Sequence, residues 1–162
     1  NEWYPLSFSF AEDPLQRVYR QYDRQAYWNL LIQVRNEVNK AIEKLRIVGE
    51  LGSSLEAEVE LYVKAGSQLF NILAALGEEL RFVLITSEAK LLTINPPKQA
   101  THLKINAEEL ALNIISTVGK KTKCARCWHR LADVGQDVKH PDICLRCVDN
   151  LPDGKGETRV YA

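Results

Sequence analysis

The chain has 162 residues, 46% hydrophobic and 26% charged, enough for one sizeable domain or a modest domain with a small appendage. Its 21 basic and 21 acidic residues cancel, which excludes a protein that grips polyanions over its whole surface. No apolar run approaches the roughly 18–20 residues that cross a bilayer and no signal-peptide pattern opens the chain, so a cytoplasmic setting with no membrane partner is expected. Methionine is absent, so Asn1 is not expected to be a translation start, and the chain is expected to be a piece of a longer protein.

From Asn1 to Phe10 the sequence is aromatic-rich and reads as a connector, and Asp13-Pro14 offers a helix start with Asp as cap and Pro at the first helical position. A stronger helix is predicted from near Asp23. Its apolar residues Tyr27, Leu30, Leu31, Val34, Val38, Ala41, Ile42 and Leu45 recur at three- and four-residue spacing, and Gly49 ends it. Gly52-Ser53-Ser54 is a turn, after which Val59, Leu61 and Val63 alternate with polar residues as in a half-buried strand. Ser67 can cap a second helix carrying Leu69, Phe70, Ile72, Leu73, Leu76 and Leu80. Arg81 to Thr86 and Leu91 to Ile94 have strand length, Asn95-Pro96-Pro97 breaks the pattern, and Leu110 to Val118 is a further apolar segment leading toward the cysteines. These elements predict an α+β fold: N-terminal helices packed on a small sheet, followed by a four-cysteine zinc-ribbon lobe. The expected division is a connector at 1–22, an α+β unit at 23–118, and the zinc lobe with its tail at 119–162.

After Cys124 the apolar periodicity fades, and a short polar stretch of this kind cannot bury enough surface to hold itself together. The four cysteines supply the missing cross-link. Cys124 and Cys127 form one C-x-x-C pair, Cys144 and Cys147 another, with sixteen residues between. Each such turn directs two sulfurs to one centre, and two turns complete the tetrahedral set that zinc accepts at about 2.3 Å. Four protein ligands leave no open position, so one structural Zn2+ is expected and no catalytic residue. Two disulfides would require an oxidising compartment, which nothing in the chain suggests. His129 and His140 are expected outside the completed shell, with backbone N–H groups of the two turns bonding the thiolates. His102 has no partner motif.

From Gly119 to Cys147 the seven basic residues Lys120, Lys121, Lys123, Arg126, Arg130, Lys139 and Arg146 face three acidic ones, Asp133, Asp137 and Asp142. Cations interleaved with an aromatic suit unpaired nucleic acid, the cations meeting phosphates and the indole of Trp128 stacking on a base. Arg126, between two ligands, is positioned to bond a base edge. The alternative is that Trp128 packs as the ribbon's own small core while the lysines are merely solvated.

Lys123-Cys-Ala-Arg-Cys-Trp-His129 and Ile143-Cys-Leu-Arg-Cys147 closely resemble the C-terminal zinc-binding region of bacterial isoleucyl-tRNA synthetases, class I aminoacyl-tRNA synthetases. Leu31-Ile-Gln-Val-Arg-Asn-Glu-Val-Asn-Lys-Ala-Ile-Glu43 and Gly52-Ser-Ser-Leu-Glu-Ala57 are similar to two further segments of that family, and Glu79-Leu-Arg-Phe-Val-Leu-Ile-Thr-Ser87 to one of its strand segments. The resemblance runs from about Leu31 to Cys147. It implies a parent enzyme that activates isoleucine with ATP and joins it to tRNA-Ile, with an upstream helical anticodon-binding domain ahead of residues 1–22. It further implies a zinc region that helps hold the tRNA at its anticodon end. Arg126 and Trp128 match the family's Arg-Cys-Trp and are the expected base contacts, with Lys120, Lys121, Lys123 and Arg130 as further tRNA-binding candidates. The class I motifs His-x-Gly-His and Lys-Met-Ser-Lys-Ser are absent and there is no room for an editing domain, so this chain is not expected to activate isoleucine alone. Two alternatives are the zinc-finger tail of a DNA-repair glycosylase and a ribbon that binds protein.

Overall fold

In the computed structural model residues 24–156 are described. The expected connector at 1–22 and the Asp13-Pro14 helix start lie outside them. The apolar spacing of the first described segment folds into one helix, α1 (Arg24–Ile47), whose buried stripe is Tyr27, Leu30, Leu31, Val34, Val38 and Ile42. Lys44 and Arg46 occupy its last turn, where cations meet the negative end of the helix dipole. Gly49, at φ 79°, then turns the chain away.

Ser53 Oγ accepts from the Leu55 N–H and opens a single 3-10 turn, Ser54–Glu56, which delivers strand β1 (Ala57–Val63). Ser67 Oγ accepts from the Phe70 N–H and starts α2 (Gln68–Ala75). The carboxylate of Glu108 takes the next two free donors, the N–H groups of Gln68 and Leu69, at 3.0 and 2.7 Å. This second helix does not extend to Leu80 as its spacing suggests. Gly77, at φ 51°, interrupts it, and a 3-10 turn (Gly77–Glu79) leads to a separate helix, α3 (Leu80–Leu84).

The helical conformation of α3 corrects the strand expected from Arg81 to Thr86 and the strand assigned by resemblance to Glu79–Ser87. Leu80 and Leu84, one turn apart, both reach the core, and the helix stops where Ile85 adopts left-handed φ 56°. A short apolar run fits a strand or a buried helix equally well, and periodicity alone does not separate them.

The remaining strands are β2 (Glu88–Leu92), β3 (Thr101–Ile105) and β4 (Glu108–Ser116). They build a mixed sheet of order β2-β1-β4-β3, parallel between β1 and β2 and antiparallel elsewhere. α2 and α3 form the crossover that a parallel pair requires. Because β1 is internal, it is buried along almost its whole length instead of on one face only. The strand expected at Leu91–Ile94 begins earlier, and Ile94 lies beyond it, exposed. β3 pairs with β4 through a two-residue turn in which Asn106 (φ 49°) and Ala107 (φ 68°) are both left-handed.

One core joins α1, α2 and α3 to Val59, Leu61 and Val63 of β1 and Leu110 and Leu112 of β4. After β4, a lobe follows, made of β5 (Thr122–Lys123), β6 (Arg130–Leu131) and a short helix, α4 (Leu145–Asp149). Its interior is a separate cluster of the cysteines with Leu131, Val134 and Ile143. The observed architecture is α+β with a four-cysteine lobe. Among the described residues no helix is long and apolar enough to cross a membrane.

Candidate metal centre and its display surface

The two C-x-x-C turns are brought face to face by backbone bonds. Cys124 N–H donates to the His129 carbonyl and Trp128 N–H to the Cys124 carbonyl, closing the first turn onto the β5–β6 ladder. Ala125 N–H donates to the Asp142 carbonyl, which ties that turn to the segment carrying the second pair. Cys144 stands directly before α4 and Cys147 lies within it.

All four Sγ atoms lie within 4.8 Å of one another. Cys124 and Cys147 are 3.7 Å apart at sulfur, as are Cys127 and Cys144. A tetrahedron with zinc–sulfur bonds of about 2.3 Å has edges of about 3.8 Å, so these two edges match a zinc site and all four sulfurs face one centre. The cysteines are free thiols, and these separations far exceed the roughly 2.0 Å of a disulfide. Cys124, Cys144 and Cys147 are buried and Cys127 is half-buried.

Electrostatics prepare one sulfur for a cation. Burial pushes the Cys124 thiol up, but the N–H groups of Cys127, Cys144 and Arg126 outweigh it and bring its pKa down to about 6. Two of these bonds reach Cys124 Sγ at 3.5 Å from Cys127 and 3.4 Å from Cys144. Burial holds Cys144 and Cys147 above the usual thiol range, so a dication is what permits the full set to ionise together. Four thiolate donors converging on one point fit a single structural zinc. His129 stands outside the sulfur cage, with Nδ1 3.1 Å from the Cys127 carbonyl and its ring in a T-shaped contact with Phe82. His140 likewise takes no part in the cage; its backbone N–H bonds Asp137.

The other expected site residues divide into two groups. Trp128 is 62% exposed and holds left-handed φ 65°, with the Lys123 ammonium 5.2 Å above its ring. It is therefore not the buried core of the lobe. Arg126 is exposed and donates through Nη1 to the Cys147 carbonyl at 3.0 Å, bridging the two cysteine turns. Lys120 is exposed as well. Lys121 and Arg130 instead turn onto the α+β body. The Lys121 ammonium bonds Glu58 and approaches Glu88 at 3.5 Å, while Arg130 Nε and Nη2 both donate to Glu56 Oε1, at 3.1 and 3.0 Å.

These body partners were not legible as functional residues. Glu58 stands beside the alternating Val59, Leu61 and Val63 as a polar neighbour on the expected solvent face, and Glu56 falls between the Gly52-Ser53-Ser54 turn and that strand with no role assigned. The one available signal was the cationic excess of residues 119–147, which requires acidic partners somewhere if the lobe packs against anything.

Residues 122–150 match the family model described as the zinc finger found in FPG and IleRS. That description names two kinds of protein, so the finger alone does not choose between them. The wider similarity does. The chain is 46% identical over 137 residues to the isoleucine–tRNA ligase of Shewanella sp. (strain MR-4) and 46% identical over 138 residues to that of Pseudoalteromonas atlantica. It is 48% identical over 140 residues to that of Coxiella burnetii (strain RSA 331 / Henzerling II). These matches take in 85–86% of this chain and continue well beyond the finger. Over these lengths the chain is similar to isoleucine–tRNA ligases. It spans 14% of the length of these relatives.

Proposed function

We propose that this chain is the zinc-stapled, tRNA-contacting end of a cytoplasmic isoleucine–tRNA ligase, which joins isoleucine to tRNA-Ile at the expense of ATP. Its part is to hold the anticodon end of the tRNA, and the domains that perform the chemistry and editing lie in the remainder of the enzyme. The observation that carries this reading is Trp128. Trp128 holds a left-handed position that glycine fills without strain, at a cost on the order of 1–2 kcal/mol. It is 62% exposed, so apart from the Lys123 ammonium over its ring little packing offsets that cost. A base stacked on the ring would, since base–aromatic stacking is worth about 1–3 kcal/mol.

In this reading Arg126 has one donor committed to Cys147, and the rest of its fixed fork can meet a base edge. Lys120 and Lys123 meet phosphates, while Lys121 and Arg130 serve the junction with the body. Trp128→Gly is the sharpest test, because it removes the ring and relieves the backbone together. Zinc content should stay at one ion per chain while affinity for tRNA-Ile falls roughly 5- to 100-fold, the equivalent of one lost stacking contact. Full affinity in the zinc-loaded variant would remove Trp128 from the contact.

A further inference from the structure

The buried polar and charged residues of the described chain are Glu56, Glu58, Thr86, Ser87 and Thr117, and they gather where the body meets the zinc lobe. Glu56 and Glu58 are only 8% and 9% exposed, and a buried carboxylate is costly unless it is paired or hydrogen-bonded. Both partners come from the lobe, Arg130 from β6 and Lys121 from just before β5.

Glu56 has the fuller set of bonds. Oε2 accepts from the Gly52 N–H at 3.0 Å, Oε1 takes two donors of the Arg130 guanidinium, and the Glu56 carbonyl accepts from Thr117 Oγ1 at 2.7 Å. Arg130 is held from other directions too. Its Nη1 donates to the Lys121 carbonyl at 3.1 Å, and its backbone N–H to Ser87 Oγ at 3.2 Å. Phe82 of α3 completes the junction, with the Arg146 guanidinium 5.2 Å from its ring centre and the His129 ring centre 6.5 Å away, steeply inclined to it.

In the β5–β6 ladder Arg130 stands directly opposite Lys123, and Lys123 covers Trp128. A short rigid path thus runs from Glu56 to the exposed face of the lobe. We infer that Glu56 is a positioning residue: through Arg130 it fixes the zinc lobe in one orientation on the body and so presents Trp128 and Lys123 to the nucleic acid. The inference rests on the proposed tRNA contact, and it adds that the lobe and the α+β body form one recognition unit. A lobe on a free tether would occupy the competent orientation only part of the time, and apparent affinity falls by that fraction.

The test uses the zinc-loaded chain and its Glu56→Gln variant, with Arg130→Gln as a second variant that leaves the Gly52 bond intact. Backbone 15N relaxation reads whether lobe and body tumble together, and tRNA-Ile binding reads the consequence. The wild type should show one correlation time. The variants should keep zinc, show a shorter effective correlation time in residues 120–150, and bind tRNA about 10-fold more weakly, as for a competent orientation occupied about a tenth of the time. Arg130→Lys, which keeps the charge but not the paired donors, should fall between. A single correlation time in both Gln variants would overturn the inference, as would independent tumbling with unchanged affinity. Absence of tRNA binding by the wild type would overturn the proposed function and with it the role of Glu56 in presentation; relaxation would still show whether Glu56 holds the lobe.

Discussion

Ile85, Asn106, Ala107 and Trp128 hold left-handed backbones without being glycine, and Ala107 and Trp128 invite different explanations. Ala107 lies at the second position of the β3–β4 turn with nothing functional near it, and its φ of 68° is the penalty of a tight hairpin without glycine. Ala107→Gly should therefore stabilise the chain by about 1 kcal/mol, visible as a raised thermal midpoint; a lowered midpoint would show that the turn is not strained. Trp128 has the same kind of strain inside a metal-fixed turn, so Trp128→Gly should leave stability equal or raised by about 1 kcal/mol while it weakens RNA binding. Opposite movements of stability and binding are the mark of a residue retained for contact. A fall in both would assign the indole to the fold. Trp128 was readable in advance as a functional candidate from its place after Cys127. Its left-handed backbone was not, because the sequence places no glycine there to mark the turn.

Elements with a long, regular signal were legible, and short ones were not. The stripe from Tyr27 to Ile42 predicts α1 with its buried face, and Ser67 marks the start of α2. α3 was hidden because five apolar-rich residues carry no period, and β3 because Thr101–Ile105 has neither strong alternation nor an Asn-Gly turn after it. The cage was fully legible, since ligand spacing is a local property of the chain. The junction was not, since it pairs residues up to 74 positions apart, as in Arg130 with Glu56. Its pH behaviour follows from those pairs. Burial raises the Glu56 carboxyl, but the Gly52 N–H and the Arg130 guanidinium outweigh it and hold it below its ordinary 4.5. The stabilisation is thus complete above pH 4.5 and is lost as pH falls through the lower folded value. Lys121, raised above its ordinary 10.5 mainly by its bond to Glu58, keeps its contribution throughout the neutral range and loses it only in strong alkali. The difference in thermal midpoint between wild type and Glu56→Gln should stay constant from pH 7 down to about 5 and close below it. A difference that persists into stronger acid would assign the effect to packing instead of charge.

At the scale of the whole molecule, two cores of unequal strength are joined by buried ion pairs. The α+β body has an extensive apolar core, whereas the lobe has only sulfur, Leu131, Val134 and Ile143. Zinc therefore holds the lobe, and the lobe in turn supplies the counter-ions of Glu56 and Glu58. A strong chelator should unfold residues 120–150 while α1 keeps its helical signal. It should also lower the thermal midpoint of the body, because two buried carboxylates lose their partners. Circular dichroism with amide exchange reads both effects, and an unchanged body midpoint would show that the junction contributes nothing to stability.

Binding to tRNA-Ile and to the same tRNA altered only in its anticodon, by the zinc-loaded chain at two salt concentrations, tests the central claim most directly. Stronger binding to the native anticodon at both salts is the predicted result, with the salt dependence carried by the exposed lysines. Equal binding to the two tRNAs, vanishing together as salt rises, would contradict base recognition by this chain and leave only an electrostatic grip.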